Sequence, residues 1–235
     1  MNRSPRPSPE RRATTPVAST SGDPTTAPHL HATGPARLAP ACEDAAFEVV
    51  AIACSAGGLS ALRELVPGLP DSFPAAVVVL LHWPPNQPIE LPTLERRSLL
   101  PITLAHEGQS PKPATVFLAP PGRHLLINPD GSFLLSQSPP LHFVRPSADL
   151  LFESLAASYG SRAIAVILSG LGSDGSIGVN SVKAAGGTVI AQNQATAEHF
   201  AMPKAAIDSG CVDHVLPIQQ IAPTLVSLVN QHRNQ

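Results

Sequence analysis

Charge is scarce in this 235-residue chain: 15 Lys and Arg stand against 17 Asp and Glu, 14% charged residues with a formal net charge of −2. That share is below the usual quarter of a globular protein. The near-balance leaves no basic footprint of the kind that nucleic-acid binding requires. Long hydrophobic runs are missing too; none reaches the roughly 20 residues of a membrane-spanning helix, which argues against direct membrane insertion. Cysteine is limited to Cys42, Cys54 and Cys211, with no CxxC pair. So sparse a set excludes a disulfide framework and a zinc site, and fits a reducing, cytoplasmic setting. The hydrophobic share of 43% still suffices for a sizeable core.

Proline, by contrast, is abundant, with 27 residues unevenly spread. Residues 1–45 are rich in Pro, Ser, Thr and Ala and have almost no large apolar side chains. Such a segment buries too little surface to offset its ordering entropy, so a disordered tail is expected there, followed by a folded domain over 46–235. Arg11-Arg12 looks like a twin-arginine start but lacks the apolar run that should follow. An organelle transit peptide is the other reading of this Arg-rich, acid-poor stretch.

From Phe47 the pattern becomes α/β. FEVVAIAC (47–54), AAVVVLLH (75–82) and AIAVILSG (163–170) are continuous apolar runs, as in strands buried on both faces. TVFLAPP (115–121), TVIAQ (188–192) and VDHVL (212–216) read as further strands. Leu59, Leu62 and Val66 keep helical spacing after the first run, and 87–99 permits only a short helix because of Pro88 and Pro92. Asp130-Gly131 sets a tight turn between the alternating runs of a hairpin over 124–137. Ser147 is placed to cap a helix that Gly160 ends, and helices are expected near 176–185, 203–210 and 217–232. This alternation predicts an α/β fold: a doubly wound, mostly parallel sheet with helices on both faces and one antiparallel hairpin.

Such sheets bind ligands outside the carboxyl ends of their strands. There the chain places Ser55 after the first run, His82 at the end of the second, and Asp174 in the loop after the run at 163–170. A hydroxyl, an imidazole and a carboxylate on one rim are the set needed for nucleophilic acyl transfer. The imidazole takes and returns a proton near neutral pH, while the carboxylate fixes its tautomer. Gly57 and Gly58 let the chain turn sharply beside Ser55, and Gly170, Gly172 and Gly175 do so around Asp174. Taken singly, each residue has a plainer role: a helix cap, a packed histidine, a turn aspartate. Their shared position is what points to chemistry.

IACSAGGLSALRELV (52–66), LLHWPPN (80–86), RPSADLLFESLA (145–156), VILSGLGSDGSIGV (166–179) and IAQNQATAEHFAMPKAAIDSG (190–210) closely resemble, in this order and spacing, the catalytic domain of the chemotaxis protein-glutamate methylesterase (CheB) family. The resemblance runs from about Phe47 to about Val229. It implies a Ser55, His82, Asp174 triad that hydrolyses glutamyl methyl esters on the cytoplasmic helices of methyl-accepting chemoreceptors, with deamidation of receptor glutamines in some members. The backbone N–H groups of Ala56 and Leu171 are the expected holders of the oxyanion. No metal and no cofactor is expected.

The chain departs from the family layout twice. Members of the best-known layout carry a receiver domain ahead of the catalytic domain, where this sequence shows no α/β pattern. Control is therefore expected from a separate regulatory partner or from expression. Cys54 precedes Ser55 where the family commonly has Ala or Ser, and fits as a small buried strand residue; a cysteine nucleophile is the rival. His124 is expected at the surface, with substrate positioning as its functional alternative. Arg145 is expected either to meet acidic residues on a receptor helix or to form an ion pair at a helix start. His106, His142 and His199 lack metal-ligand spacing. The patch Trp83-Pro84-Pro85 is a candidate docking face. A dinucleotide-binding domain would require GxGxxG in the turn after the first strand, where SAGG (55–58) stands, and an acidic residue ending the second strand, where His82 stands. A receptor-binding module without catalysis, and an esterase acting on another protein or small ester, remain open alternatives.

Overall fold

The computed structural model describes residues 48–83 and 91–233. The expected 1–45 tail and the Pro84-Pro85 pair lie outside them. In chain order the strands are β1 (Val49–Cys54), β2 (Ala76–Leu81), β3 (Ile102–Leu104), β4 (Thr115–Leu118), β5 (His124–Ile127), β6 (Phe133–Ser136), β7 (Ala163–Ile167), β8 (Thr188–Gln192) and β9 (His214–Leu216). The helices are α1 (Gly58–Leu65), α2 (Leu91–Glu95), α3 (Ala148–Tyr159), α4 (Gly178–Ala184), α5 (Ala201–Asp208) and α6 (Ile218–Arg233). Seven strands form one sheet in the order β3-β4-β2-β1-β7-β8-β9, every adjacent pair parallel. β5 and β6 make a separate antiparallel ribbon, as the Asp130-Gly131 turn predicts. β3 has no forerunner in the sequence reading, since three residues after Pro101 are too few to show a period. None of the described helices is long and apolar enough to cross a membrane.

β1 is fully buried along its length, because both of its faces are covered. Val49, Ala51 and Ala53 join a cluster with Leu151, Phe152 and Leu155 of α3. Val50, Ile52 and Cys54 join another with Leu62 and Leu65 of α1 and Leu225 of α6. A parallel strand sandwiched in this way needs apolar side chains in both directions, which explains the unbroken run in the sequence. From β1 the chain steps outward to β2 and on to the edge strand β3, fills the gap between them with β4, then returns by the β5–β6 ribbon and α3 to β7 on the opposite side of β1. The strand order therefore reverses at β1, and a crevice opens there at the carboxyl ends. Ser55, His82 and Asp174 all follow strands that meet at this point.

The first turns of α3 and α4 converge behind the crevice. Ser147 holds the expected N-cap position of α3, but its side chain makes no cap bond. Its Oγ–H donates instead to Asp174 Oδ1 at 2.9 Å. Asp174 itself accepts the N–H groups of Ala148 (2.6 Å) and Asp149 (3.2 Å), so it caps α3 from a distant loop. Asp149 returns the arrangement: its Oδ1 accepts the N–H groups of Ile177 (3.0 Å) and Gly178 (2.8 Å) where α4 starts. Asp149 of α3 thus satisfies orphan donors of α4, the loop ahead of α4 satisfies those of α3, and both carboxylates sit at positive dipole ends. Phe152 fills the space between them. A Cβ on Gly178 would stand 2.8 Å from that of Phe152, and one on Gly175, at φ +94°, would stand 3.1 Å from the ring.

Burial pushes the Asp174 pKa up, but the His82 hydrogen bond, the Ala148 N–H and the Ser147 hydroxyl outweigh it and hold the group below its ordinary value. Asp149 goes the other way: burial, assisted by the Asp174 charge, raises its pKa despite the Gly178 N–H. A depressed carboxylate contributes stability above its unfolded pKa of about 4 and loses it as pH falls through the folded value. The raised Asp149 has the opposite sign, its ionised form costing stability that protonation relieves. Asp174→Asn should therefore flatten the loss of stability below about pH 4, read from urea midpoints against pH; an unchanged slope would place acid sensitivity elsewhere. Phe152→Ala should cost about 3–5 kcal/mol in the same unfolding experiment at neutral pH.

Candidate active site

Ser55 is held by backbone on both sides. Its N–H donates to Ser169 O at 3.0 Å across the β1–β7 pair, and its carbonyl accepts from Gly58 N–H at 2.8 Å, closing the turn into α1. Gly57 in that turn has φ +73°, and a Cβ there would fall 2.5 Å from Ser169 Oγ. Ser169 Oγ–H donates to Ala56 O at 2.8 Å and accepts His199 N–H at 2.9 Å. Gln192, buried at the end of β8, accepts Ser169 N–H at 2.8 Å. Sequence reasoning missed Ser169 and Gln192, although both are polar residues ending buried runs, the signal that selected Ser55 and His82.

His82 continues the β2 register by one residue, donating its N–H to Cys54 O at 3.0 Å. Since Cys54 pairs with Leu81, Ser55 and His82 extend neighbouring parallel strands side by side. The imidazole Nε2 lies 2.8 Å from Asp174 Oδ2. An ionised carboxylate only accepts, so Nε2 carries the proton and the neutral ring keeps its lone pair on Nδ1. Asp174 is 6% exposed and holds its charge because four donors surround it. Ser55 and His82 line one open pocket of about 400 Å³ with Leu59, Trp83 and Glu198. Among the described residues no direct Ser55–His82 hydrogen bond is formed. Such bonds often tighten only when substrate binds.

Ser55 N–H is already taken by Ser169, which leaves other backbone donors for an oxyanion. Ala56 lines the pocket, and Leu171 is 58% exposed on the loop that leads to Asp174. Cys54 is wholly buried, and burial pushes its thiol pKa far up, the reverse of what a thiolate nucleophile needs. Its Sγ lies 2.8 Å from where a Cβ on Gly58 would stand, so the cysteine is packed against the turn.

Two sequence expectations change. His124 is not a surface residue: it is fully buried, its Nδ1 accepting Ser147 N–H (3.1 Å) and its Nε2–H donating to Pro139 O (3.2 Å). The β5–β6 ribbon folds onto α3 and covers it, which local sequence does not signal. Arg145 makes no ion pair at the helix start; its Nη1 donates to the carbonyls of Gln137 (3.1 Å) and Ser138 (2.9 Å). His199 joins the Ser169 network through its backbone N–H, with its ring 3.7 Å from Glu198. No group of three or more His, Cys, Asp or Glu side chains with metal-binding geometry occurs among the described residues.

A family model described as CheB methylesterase matches residues 50–225. A "protein-glutamate methylesterase/protein-glutamine glutaminase" of Moorella thermoacetica is 39% identical over 188 residues, covering 78% of this chain and 44% of that protein. One of Burkholderia thailandensis is 38% identical over 210 residues, covering 89% and 61%. The chain thus spans about half the length of these curated relatives. The crystal structure of the Thermotoga maritima CheB methylesterase catalytic domain superposes with a TM-score of 0.75 at 40% identity, over 78% of this chain and 99% of that one. Matched in sequence, in fold and in the extent of its catalytic portion, the chain belongs to the CheB methylesterase family.

Proposed function

We propose that the chain is a serine hydrolase that removes methyl esters from glutamyl residues on the cytoplasmic helices of methyl-accepting chemoreceptors, and acts in the cytoplasm. The observation that carries this reading is the 2.8 Å His82 Nε2–Asp174 Oδ2 contact on the rim that presents Ser55. In this reading the catalytic domain runs over 46–235, and 1–45 is a separate Pro/Ser/Thr-rich tail.

The mechanism follows from the tautomer. His82 Nδ1 takes the Ser55 hydroxyl proton as Oγ attacks the ester carbonyl, and Asp174 stabilises the imidazolium through Nε2–H. The ring is used in the reverse sense to the chymotrypsin arrangement, where Nδ1 faces the aspartate. The Ala56 and Leu171 N–H groups receive the oxyanion. His82 then protonates departing methanol, and water, deprotonated by the same Nδ1, releases glutamate from the acyl-enzyme. An amide enters the same cycle with ammonia as leaving group, in keeping with the glutaminase activity in the relatives' names.

Methanol release from methylated receptor cytoplasmic fragments tests the reading. Ser55→Ala should lower kcat by about a thousand-fold or more, and Asp174→Asn by a comparable factor through the wrong tautomer. Undiminished turnover in Ser55→Ala sinks the assignment of the nucleophile. Receptor binding that survives Ser55→Ala, with no hydrolysis by the wild type, favours a receptor-binding module instead.

A further inference from the structure

We infer that His124 is a positioning residue for the triad, acting through Ser147 on Asp174; the inference rests on the esterase reading above. Three of the four donors that hold the Asp174 carboxylate come from consecutive residues, namely the Ser147 hydroxyl and the N–H groups of Ala148 and Asp149. The fourth is His82 itself. The orientation of Asp174, and hence of the His82 ring, therefore depends on where the backbone at 147–149 sits. That backbone is anchored by His124, whose Nδ1 accepts the buried Ser147 N–H at 3.1 Å. Ser147 and His124 are both fully buried, so no solvent replaces this acceptor if it is lost.

The imidazole suits the task because it needs one acceptor and one donor on opposite edges. Nδ1 receives from Ser147, and Nε2–H donates to Pro139 O at 3.2 Å. Only the neutral ring with its proton on Nε2 makes both bonds. His124 is itself fixed in the ribbon, paired with Ser136. The ribbon grips α3 further along as well: Ile127 N–H donates to Ser154 Oγ at 3.1 Å, and Ser158 Oγ–H to Asn128 O at 2.9 Å. The β5–β6 hairpin is thus a splint along α3, and His124 is its contact nearest the chemistry.

Two variants separate this role from mere packing. In His124→Asn the amide oxygen stands as many bonds from Cβ as Nδ1 and can still accept from Ser147; in His124→Gln the amide nitrogen matches Nε2 and keeps only the Pro139 contact. His124→Asn should stay within about three-fold of wild-type kcat, whereas His124→Gln should lose about ten- to a hundred-fold in kcat with KM little changed, since misplacing a catalytic group costs turnover. The low-field proton resonance of His82 Nε2–H, identified by its absence in Asp174→Asn, should persist in His124→Asn and shift or vanish in His124→Gln. Equal kcat and equal resonances in the two variants would overturn the proposal. If neither variant folds, nitrogen NMR of the wild type decides: His124 must carry its proton on Nε2 with a hydrogen-bonded, bare Nδ1, and the opposite tautomer rejects the link. Failure of the esterase reading shows separately, as no methanol release by the wild type, while the resonances still report on His124.

Discussion

The carboxylate of Asp174, held at the amino end of α3, is the constraint on which the rest of the site depends. A buried charge survives only with donors around it, and here four converge on two oxygens. Three belong to the helix start and one to the candidate base. One group therefore closes the helix, sets the tautomer of His82 and links the loop after β7 to the end of β2. The interaction is structural and chemical at once, since the donors that stabilise the fold also keep the group ionised.

The sheet supplies what this carboxylate cannot. Parallel pairing of β1 with β2 and β7 carries Ser55, His82 and the Asp174 loop to the same edge. The reversal of strand order at β1 keeps that edge open. Side chains on both faces of β1 are locked in apolar clusters, so the Ser55 turn stands on a rigid base. Ser169 and Gln192 extend that rigidity to the turn itself, binding Ala56 O and the β7 end in one buried network. Groups held in place this way do not have to reorganise during a reaction.

Much of this is legible in the amino-acid sequence. Unbroken apolar runs marked the buried strands, Asp130-Gly131 marked the hairpin, and the rule that sites lie at strand ends selected Ser55, His82 and Asp174. The misses share one cause. β3 was too short to show a period, and it exists because β4 offers it an edge to pair with. Ser147 stands at its expected cap position, but a carboxylate from another loop does the capping. His124 reads as a surface histidine at the hairpin start, and only the packing of the ribbon on α3 buries it.

What the amino-acid sequence determined by itself was local: which segments are apolar on both faces, where they stop, and which reactive residue follows each. These properties are written in neighbouring residues. Tertiary structure decided how the reactive groups meet, because each deciding bond joins distant positions: His82 to Asp174 across 92 residues, Ser147 to Asp174 across 27, and Ser147 to His124 across 23. Bonds over such separations form only once the sheet has closed their loops, so the nitrogen that faces Asp174 and the burial of His124 become definite only in the folded chain.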